Sequence, residues 1–198
     1  MSLLFDRFAF LYDGFMQKTG LAGEERLLEY VGMVEGKRVA DIGGGTGSLA
    51  VLLVGLKAEV VIIDPSASMT AIAAKKEQRI KVVRASAEEI PLAGDSFDVV
   101  CMKDCLHHIV NREKALNEAV RVLKPGGKMV ILEFNPASLK AQLIFCFERL
   151  CREKTRPVDP AVMKEILHGL QVKGEIHFMN RLEYVYVGYK DGENSSLL

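Results

Sequence analysis

Val39-Ala-Asp-Ile-Gly-Gly-Gly-Thr-Gly-Ser-Leu49 is the stretch whose reading decides the fold. A short apolar run ends in Asp41, and glycine then fills four of the five positions from Gly43 to Gly47 before a helix-like segment begins. Glycine suits a turn so tight that a ligand can lie against bare backbone. The first turn of the following helix offers unpaired amides and a positive dipole end, which favour an anionic or polar ligand.

The spacing reads Asp41-x-Gly43-x-Gly45-x-Gly47. A dinucleotide fingerprint wants GxGxxG, and the position completing it from Gly43 is Ser48. The acid that a ribose needs comes at Asp64, where the second apolar run ends. A glycine turn with such an acid marks a nucleotide site without choosing between a nicotinamide dinucleotide and S-adenosylmethionine. A plain strand-to-helix turn with a surface Asp is the bland alternative.

Outward from this stretch the pattern is regular. Val39–Ile42, Val60–Ile63, Val82-Val83, Val99–Met102 and Met129–Leu132 are short β-branched runs without polar alternation, as expected of parallel strands covered on both faces. Helical segments separate them: Thr46–Val54, Ser66–Glu77 with Ser66 as cap, and Asn111–Lys124 with Asn111 as cap and Pro125-Gly126-Gly127 as terminator. The alternation predicts an α/β fold, a doubly wound Rossmann-like sheet. Before it, aromatic-rich Leu3–Thr19 and a stretch from Gly23 to Gly36 read as two helices. After it, Pro136–Cys151 reads as an apolar helix with Leu139, Leu143, Ile144, Phe147 and Leu150 on one side. A short helix, Ala161–Leu170, is followed by two strands turning at Asn180-Arg181, which closes a seven-stranded sheet with an antiparallel hairpin. The expected organisation is one domain: a helical cover over 1–36, a cofactor-binding core over 37–134, a helical cap over 135–170, the hairpin over 171–190 and a disordered tail over 191–198.

Composition narrows the function. Lys plus Arg and Asp plus Glu both number 26, a zero net charge that argues against a nucleic-acid surface. The start, Met-Ser-Leu-Leu-Phe-Asp-Arg, lacks a signal-peptide pattern, and no uncharged apolar run reaches bilayer length. Cys101, Cys105, Cys146 and Cys151 form no CxxC pair and no zinc spacing with histidine. Free thiols, a cytoplasmic location and no metal are expected.

The downstream motifs choose the nucleotide. Asp41-Ile-Gly-Gly-Gly-Thr-Gly, Ile63-Asp64-Pro65-Ser66, Ala87-Glu88-Glu-Ile-Pro-Leu, Ser96-Phe97-Asp98-Val-Val, Leu106-His107-His108 and Arg121-Val-Leu-Lys-Pro-Gly-Gly127, in this order, resemble the class I S-adenosylmethionine-dependent methyltransferases. Within them the chain looks most like the ubiquinone/menaquinone biosynthesis methyltransferase group and its small-molecule relatives, over residues 3 to 136 and again at the closing hairpin. The resemblance implies S-adenosyl-L-methionine as cofactor. It places Gly43, Gly45, Gly47 and Thr46 beside its methionine and ribose, with Asp41, Gly44 and Pro65 in the same site. It gives Asp64 the ribose hydroxyls and sets Ser86 and Ala87 along the adenine, although many relatives have an acid in place of Ser86. Lys103 stands where the quinone group has a small polar residue near the methionine end. A cation is awkward beside a sulfonium, so Lys103 is expected to point away or reach the methionine carboxylate.

Methyl transfer from a sulfonium is an in-line displacement that needs alignment and exclusion of water, and a base only when the nucleophile must lose a proton. The candidates for a base are His107, His108 and Asp104 at strand ends, each of which also has a plain loop-supporting reading; Asp104 and Glu133 could instead orient substrate or anchor the cofactor's amino group. His168 and His177 read as structural. The expected acceptor is a small, apolar, quinone-like or lipid-like molecule, with the 136–151 helix as cover. A peripheral membrane contact or a homodimer through that helix is compatible with the pattern. A polar metabolite as acceptor, a cofactor-binding protein without turnover and a nicotinamide oxidoreductase are the alternatives.

Overall fold

A computed structural model describes residues 23–150 and 153–192. The expected aromatic helix over 3–19, Cys151 and the tail from 193 lie outside the described residues. In chain order the elements are α1 (Glu24–Val31), β1 (Arg38–Ile42), α2 (Ser48–Gly55), β2 (Glu59–Ile63), α3 (Ala67–Lys76), β3 (Lys81–Val83) and β4 (Phe97–Lys103). After a 3-10 turn (Leu106–His108) come α4 (Arg112–Val122), β5 (Leu123–Phe134), α5 (Leu139–Leu150), α6 (Pro160–Gly169), β6 (Val172–Phe178) and β7 (Glu183–Lys190).

Seven strands form one sheet in the order β3-β2-β1-β4-β5-β7-β6. The first five run parallel, and β7 pairs antiparallel with both β5 and β6. Successive residues of each strand face opposite sides, and both sides are apolar. Ala40, Ile42, Val100, Met102, Met129, Ile131 and Tyr186 pack on one side with Leu116 and Ala119 of α4 and Met163 and Leu167 of α6. Val39, Val60, Ile62, Val99, Cys101 and Val130 pack on the other with Leu27 and Val31 of α1, Leu49 and Leu53 of α2 and Ala73 of α3. Runs of β-branched residues without alternation are what two covered faces demand. From β1 the chain winds outward to β3 and then returns to β4 on the other side of β1, so the crevice at the carboxyl ends of β1 and β4 is the switch point of the sheet.

Local chemistry sets the helix boundaries. Ser66 accepts from the Met69 N–H at 3.2 Å and Asn111 from the Lys114 N–H at 3.0 Å, so both expected caps are present. Asn111→Ala is expected to lower stability by about 1 kcal/mol, read from the urea midpoint at an unchanged slope.

Three expectations are corrected. The helix from Gly23 stops at Val31, because Gly32 takes φ 78° and its N–H closes on Leu28 O; Val34 is buried beyond the helix. β5 is far longer than 129–132. Phe97 pairs with Leu123 and Val99 with Lys128, so Lys124-Pro125-Gly126-Gly127 bulges within the strand after α4 ends at Val122. The third concerns α5. It buries Ala141 and Phe145, against Phe134, and leaves Leu139, Leu143, Phe147 and Leu150 between 55% and 82% exposed. The apolar stripe faces outward and is not a lining for the strand ends. No described helix is long and apolar enough to cross a membrane.

Candidate functional site

At the end of β1 the chain turns through Gly43, Gly45 and Gly47, all with positive φ. Gly43 N–H is bonded to Ile63 O at 2.8 Å, and a side chain on Gly43 would strike Cys105. Asp64 holds the turn: its Oδ2 accepts from Gly45 N–H at 3.0 Å and its Oδ1 from Ser66 N–H at 2.8 Å.

Asp41 sits behind this turn at 1% exposure, and among the described residues its Oδ2 has no hydrogen-bond partner. Burial dominates its titration and raises it to about 7, with Lys103 opposing and Asp64 and Glu24 reinforcing the rise. Asp104, just past β4, has φ 48°, and its buried Oδ1 is likewise without a partner. Burial raises it to about 6 against the pull of Lys103. Lys103 does not point away: its ammonium lies 2.8 Å from Asp104 and 3.4 Å from Glu24. Among the described residues, therefore, Glu24 and Asp104 pair with Lys103, and Asp41 lies within reach of Lys103, Glu24 and Asp64. The charge of this group is negative, and two buried carboxylate oxygens lack donors. A ligand with a cationic group and a diol meets both needs; a pyrophosphate does not.

The sheet brings the other predicted cofactor residues to the same end with different exposures. Thr46 is 2% exposed. Gly44 lies so close to Asp41 that a Cβ there would be 2.6 Å from Oδ2. Pro65 and Ser86 are exposed and Ala87 is buried; the Ser86 hydroxyl accepts from Glu88 N–H at 3.2 Å.

The histidines are built into a different arrangement from the one expected. His107 is buried, with Nδ1 2.6 Å from Glu133 Oε2, while Glu133 Oε1 accepts from the N–H groups of Leu106 at 2.6 Å and His107 at 3.3 Å. Burial alone would lower the His107 pKa; Glu133, and then Glu148, outweigh it and hold the value near 10. Held in this way, His107 favours its protonated form at neutral pH, which weighs against a role as base. Burial and then the neighbouring His107 charge lower His108 to about 4. It is neutral at pH 7, but its nitrogens face Thr155 Oγ1 at 3.4 Å and Glu148 Oε1 at 3.8 Å. Asp104 is engaged by Lys103. Glu133, read from sequence as a carboxylate to orient substrate or anchor the cofactor's amino group, is bonded to His107.

Sequence reading missed Glu148 and Arg112. Arg112 donates to Leu106 O at 3.2 Å, Pro157 O at 3.0 Å and Arg156 O, and Arg156 N–H donates to His107 O at 2.9 Å. These bonds staple the turn after β4 to the segment following α5. Their only signal was Arg112 at the first position of an otherwise ordinary amphipathic helix. Cys101, Cys105 and Cys146 are free, and burial pushes the Cys105 thiol well up, consistent with its donating to Ile42 O at 3.2 Å.

Residues 40–131 match the family described as "Methyltransferase domain". The ubiquinone/menaquinone biosynthesis C-methyltransferase UbiE of Vibrio vulnificus (strain YJ016) is 38% identical over 109 residues, which are 50% of this chain and 42% of that protein. The chain thus spans less than half the length of that relative. In three dimensions, an S-adenosylmethionine-dependent methyltransferase of Thermotoga maritima is similar with a TM-score of 0.78 and 24% identity, over 96% of this chain and 100% of that one. A chain of the complex between the Haloferax volcanii Trm112 methyltransferase activator and a methyltransferase gives 0.81 at 18% identity, over 94% and 97%. The structural likenesses concern the fold.

Proposed function

We propose that the chain is a class I S-adenosylmethionine-dependent methyltransferase, on its likeness to the methyltransferase-domain family and to the Vibrio enzyme, and that it transfers a methyl group to a small, apolar, quinone-like acceptor. The observation that carries the cofactor half is the pair of acids around the glycine turn: Asp64 bonded to Gly45 N–H, and Asp41 buried with an unpartnered oxygen. Asp64 accepts from the ribose hydroxyls. Asp41 and Asp104 supply the missing counter-charge for the cofactor's ammonium group, and Ser86 and Ala87 border the adenine. Bound there, S-adenosylmethionine supplies an electrophilic methyl group on a sulfonium. The residues' share is to hold it against the turn, keep water away and leave one line of approach open. With His107 held protonated, no base is assigned; an acceptor that arrives as an anion needs none to attack the methyl group, whereas a ring carbon must afterwards release its proton to an acceptor.

The quinone-like acceptor rests on the likeness to the Vibrio enzyme. A polar acceptor is the second reading, favoured by one observation: the inner side of α5 sets Glu148 against His107 and His108 while its apolar stripe faces out. Asp64→Ala is expected to weaken S-adenosylhomocysteine binding by about 100-fold in calorimetry with the fold retained by circular dichroism, in line with loss of charge-assisted bonds worth about 2–3 kcal/mol. Unchanged affinity removes the proposed cofactor pose. Incubation with methyl-labelled cofactor and a reduced quinone, beside a panel of polar amines and phenols, decides between the acceptors; labelling of the polar panel alone overturns the first reading.

A further inference from the structure

Under α5, ligand-capable atoms of His107, His108 and Glu148 all lie within 4.8 Å of one another. Glu148 Oε1 is 3.9 Å from His107 Nε2 and 3.8 Å from His108 Nε2. A tetrahedral divalent ion with bonds of about 2.0–2.2 Å keeps its ligand atoms roughly 3.4 Å apart, so the set closes with shifts on the order of half an ångström to an ångström.

The surroundings are those of a metal site. Glu133 holds His107 through Nδ1, which leaves Nε2 directed at Glu148; a carboxylate behind a ligating imidazole is the usual outer support. Glu148 is held in turn, its Oε2 accepting from Thr155 Oγ1 at 2.8 Å, with Oε1 turned toward the imidazoles. The side chains are 1%, 21% and 14% exposed for His107, His108 and Glu148, a nearly closed site. Sequence spacing hides the set because two ligands sit on the turn after β4 and the third on α5.

We propose that His107, His108 and Glu148 bind one divalent cation of the zinc class, pinning α5 to the turn after β4. Two imidazoles and one carboxylate favour zinc or cobalt over magnesium or calcium, and leave one tetrahedral position for water. The competing occupant is a proton between His107 and Glu148, which leaves His108 outside the interaction. The assignment is independent of cofactor binding, and a metal held by these three residues would take up the polar groups that favour a polar acceptor.

The test uses the full chain, dialysed against a chelator, then titrated with zinc chloride by calorimetry and with cobalt(II) chloride by absorption spectroscopy. The expected result is one ion per chain, with visible cobalt bands of a four-coordinate nitrogen and oxygen site and no near-ultraviolet thiolate band. Glu148→Gln and His108→Gln each lower the affinity by about 100-fold or more, and a Cys146→Ser, Cys151→Ser double variant leaves it unchanged. Failure of the wild-type chain to bind either ion at micromolar concentration overturns the proposal in favour of the shared proton. So does a thiolate band, or binding that survives Glu148→Gln and vanishes in the cysteine variant. The wild-type cobalt spectrum decides the matter even where a substituted chain does not fold.

Discussion

Gly43→Ala is expected to destabilise the fold by about 2–5 kcal/mol, the sum of about 1–2 for a side chain in the left-handed region and about 1–3 for overpacking. The added Cβ would lie 2.5 Å from Cys105 Cβ and 2.8 Å from its sulfur, at a φ of +73°. Any shift of Cys105 to make room would disturb the bond its thiol donates to Ile42 O. Gly45→Ala is the matched control. Its φ is +52°, yet the nearest atom, Gly43 O, is 4.0 Å away. It should therefore cost only the backbone term of about 1–2 kcal/mol while placing a methyl group in the path proposed for the cofactor. Urea unfolding paired with S-adenosylhomocysteine calorimetry separates the two. Similar losses of stability in both variants would show that the Cys105 contact does not limit position 43.

Asp41→Asn should move stability and ligand affinity in opposite directions. Burial raises Asp41 from 3.8 to about 7, so between those values the folded chain holds a proton that the unfolded chain releases. This contribution is fully present below about pH 4 and is lost as pH rises through 7, a swing of roughly 4 kcal/mol at its upper limit. The variant should gain about 1–3 kcal/mol at pH 8 and nothing at pH 4, the amide recovering only part because it too lacks partners there. Wild-type affinity for S-adenosylhomocysteine should rise between pH 6 and 8 as Asp41 ionises to face the ammonium group. Asp41→Asn should flatten that rise and bind about 10-fold more weakly at pH 8. A variant that binds as tightly as wild type would remove Asp41 from the cofactor contact.

The parallel half of the sheet was legible because burial on both faces leaves a local mark, an unbroken β-branched run such as Val60–Ile63. Caps at Ser66 and Asn111 were legible for the same reason, since each acts within three residues. The glycine turn and Asp64 were readable as chemistry because a tight turn restricts residue type at fixed spacing. What was misread depends on distant contacts. The stripe Leu139, Leu143, Phe147 and Leu150 has perfect helical spacing, but spacing does not say which face meets the protein, and the smaller Ala141 and Phe145 face won. The role of His107 is set by Glu133 across 26 positions and by Glu148 on another element, neither visible in the Leu106-His107-His108 motif. Lys103 looked misplaced beside a sulfonium until Glu24 and Asp104 appeared around it.

The two margins of the sheet carry a consequence for behaviour in concentrated solution. One margin is β3, only three residues long and beginning at Lys81. The other is β6, whose outward Lys173, Glu175 and His177 are exposed, with Lys173 paired to Asp191 and Glu175 to Lys164. A brief rim and a charged rim both discourage strand-on-strand growth between molecules, the route by which open sheets aggregate. Among the described residues, both rims therefore disfavour joining of sheets edge to edge between copies of the chain.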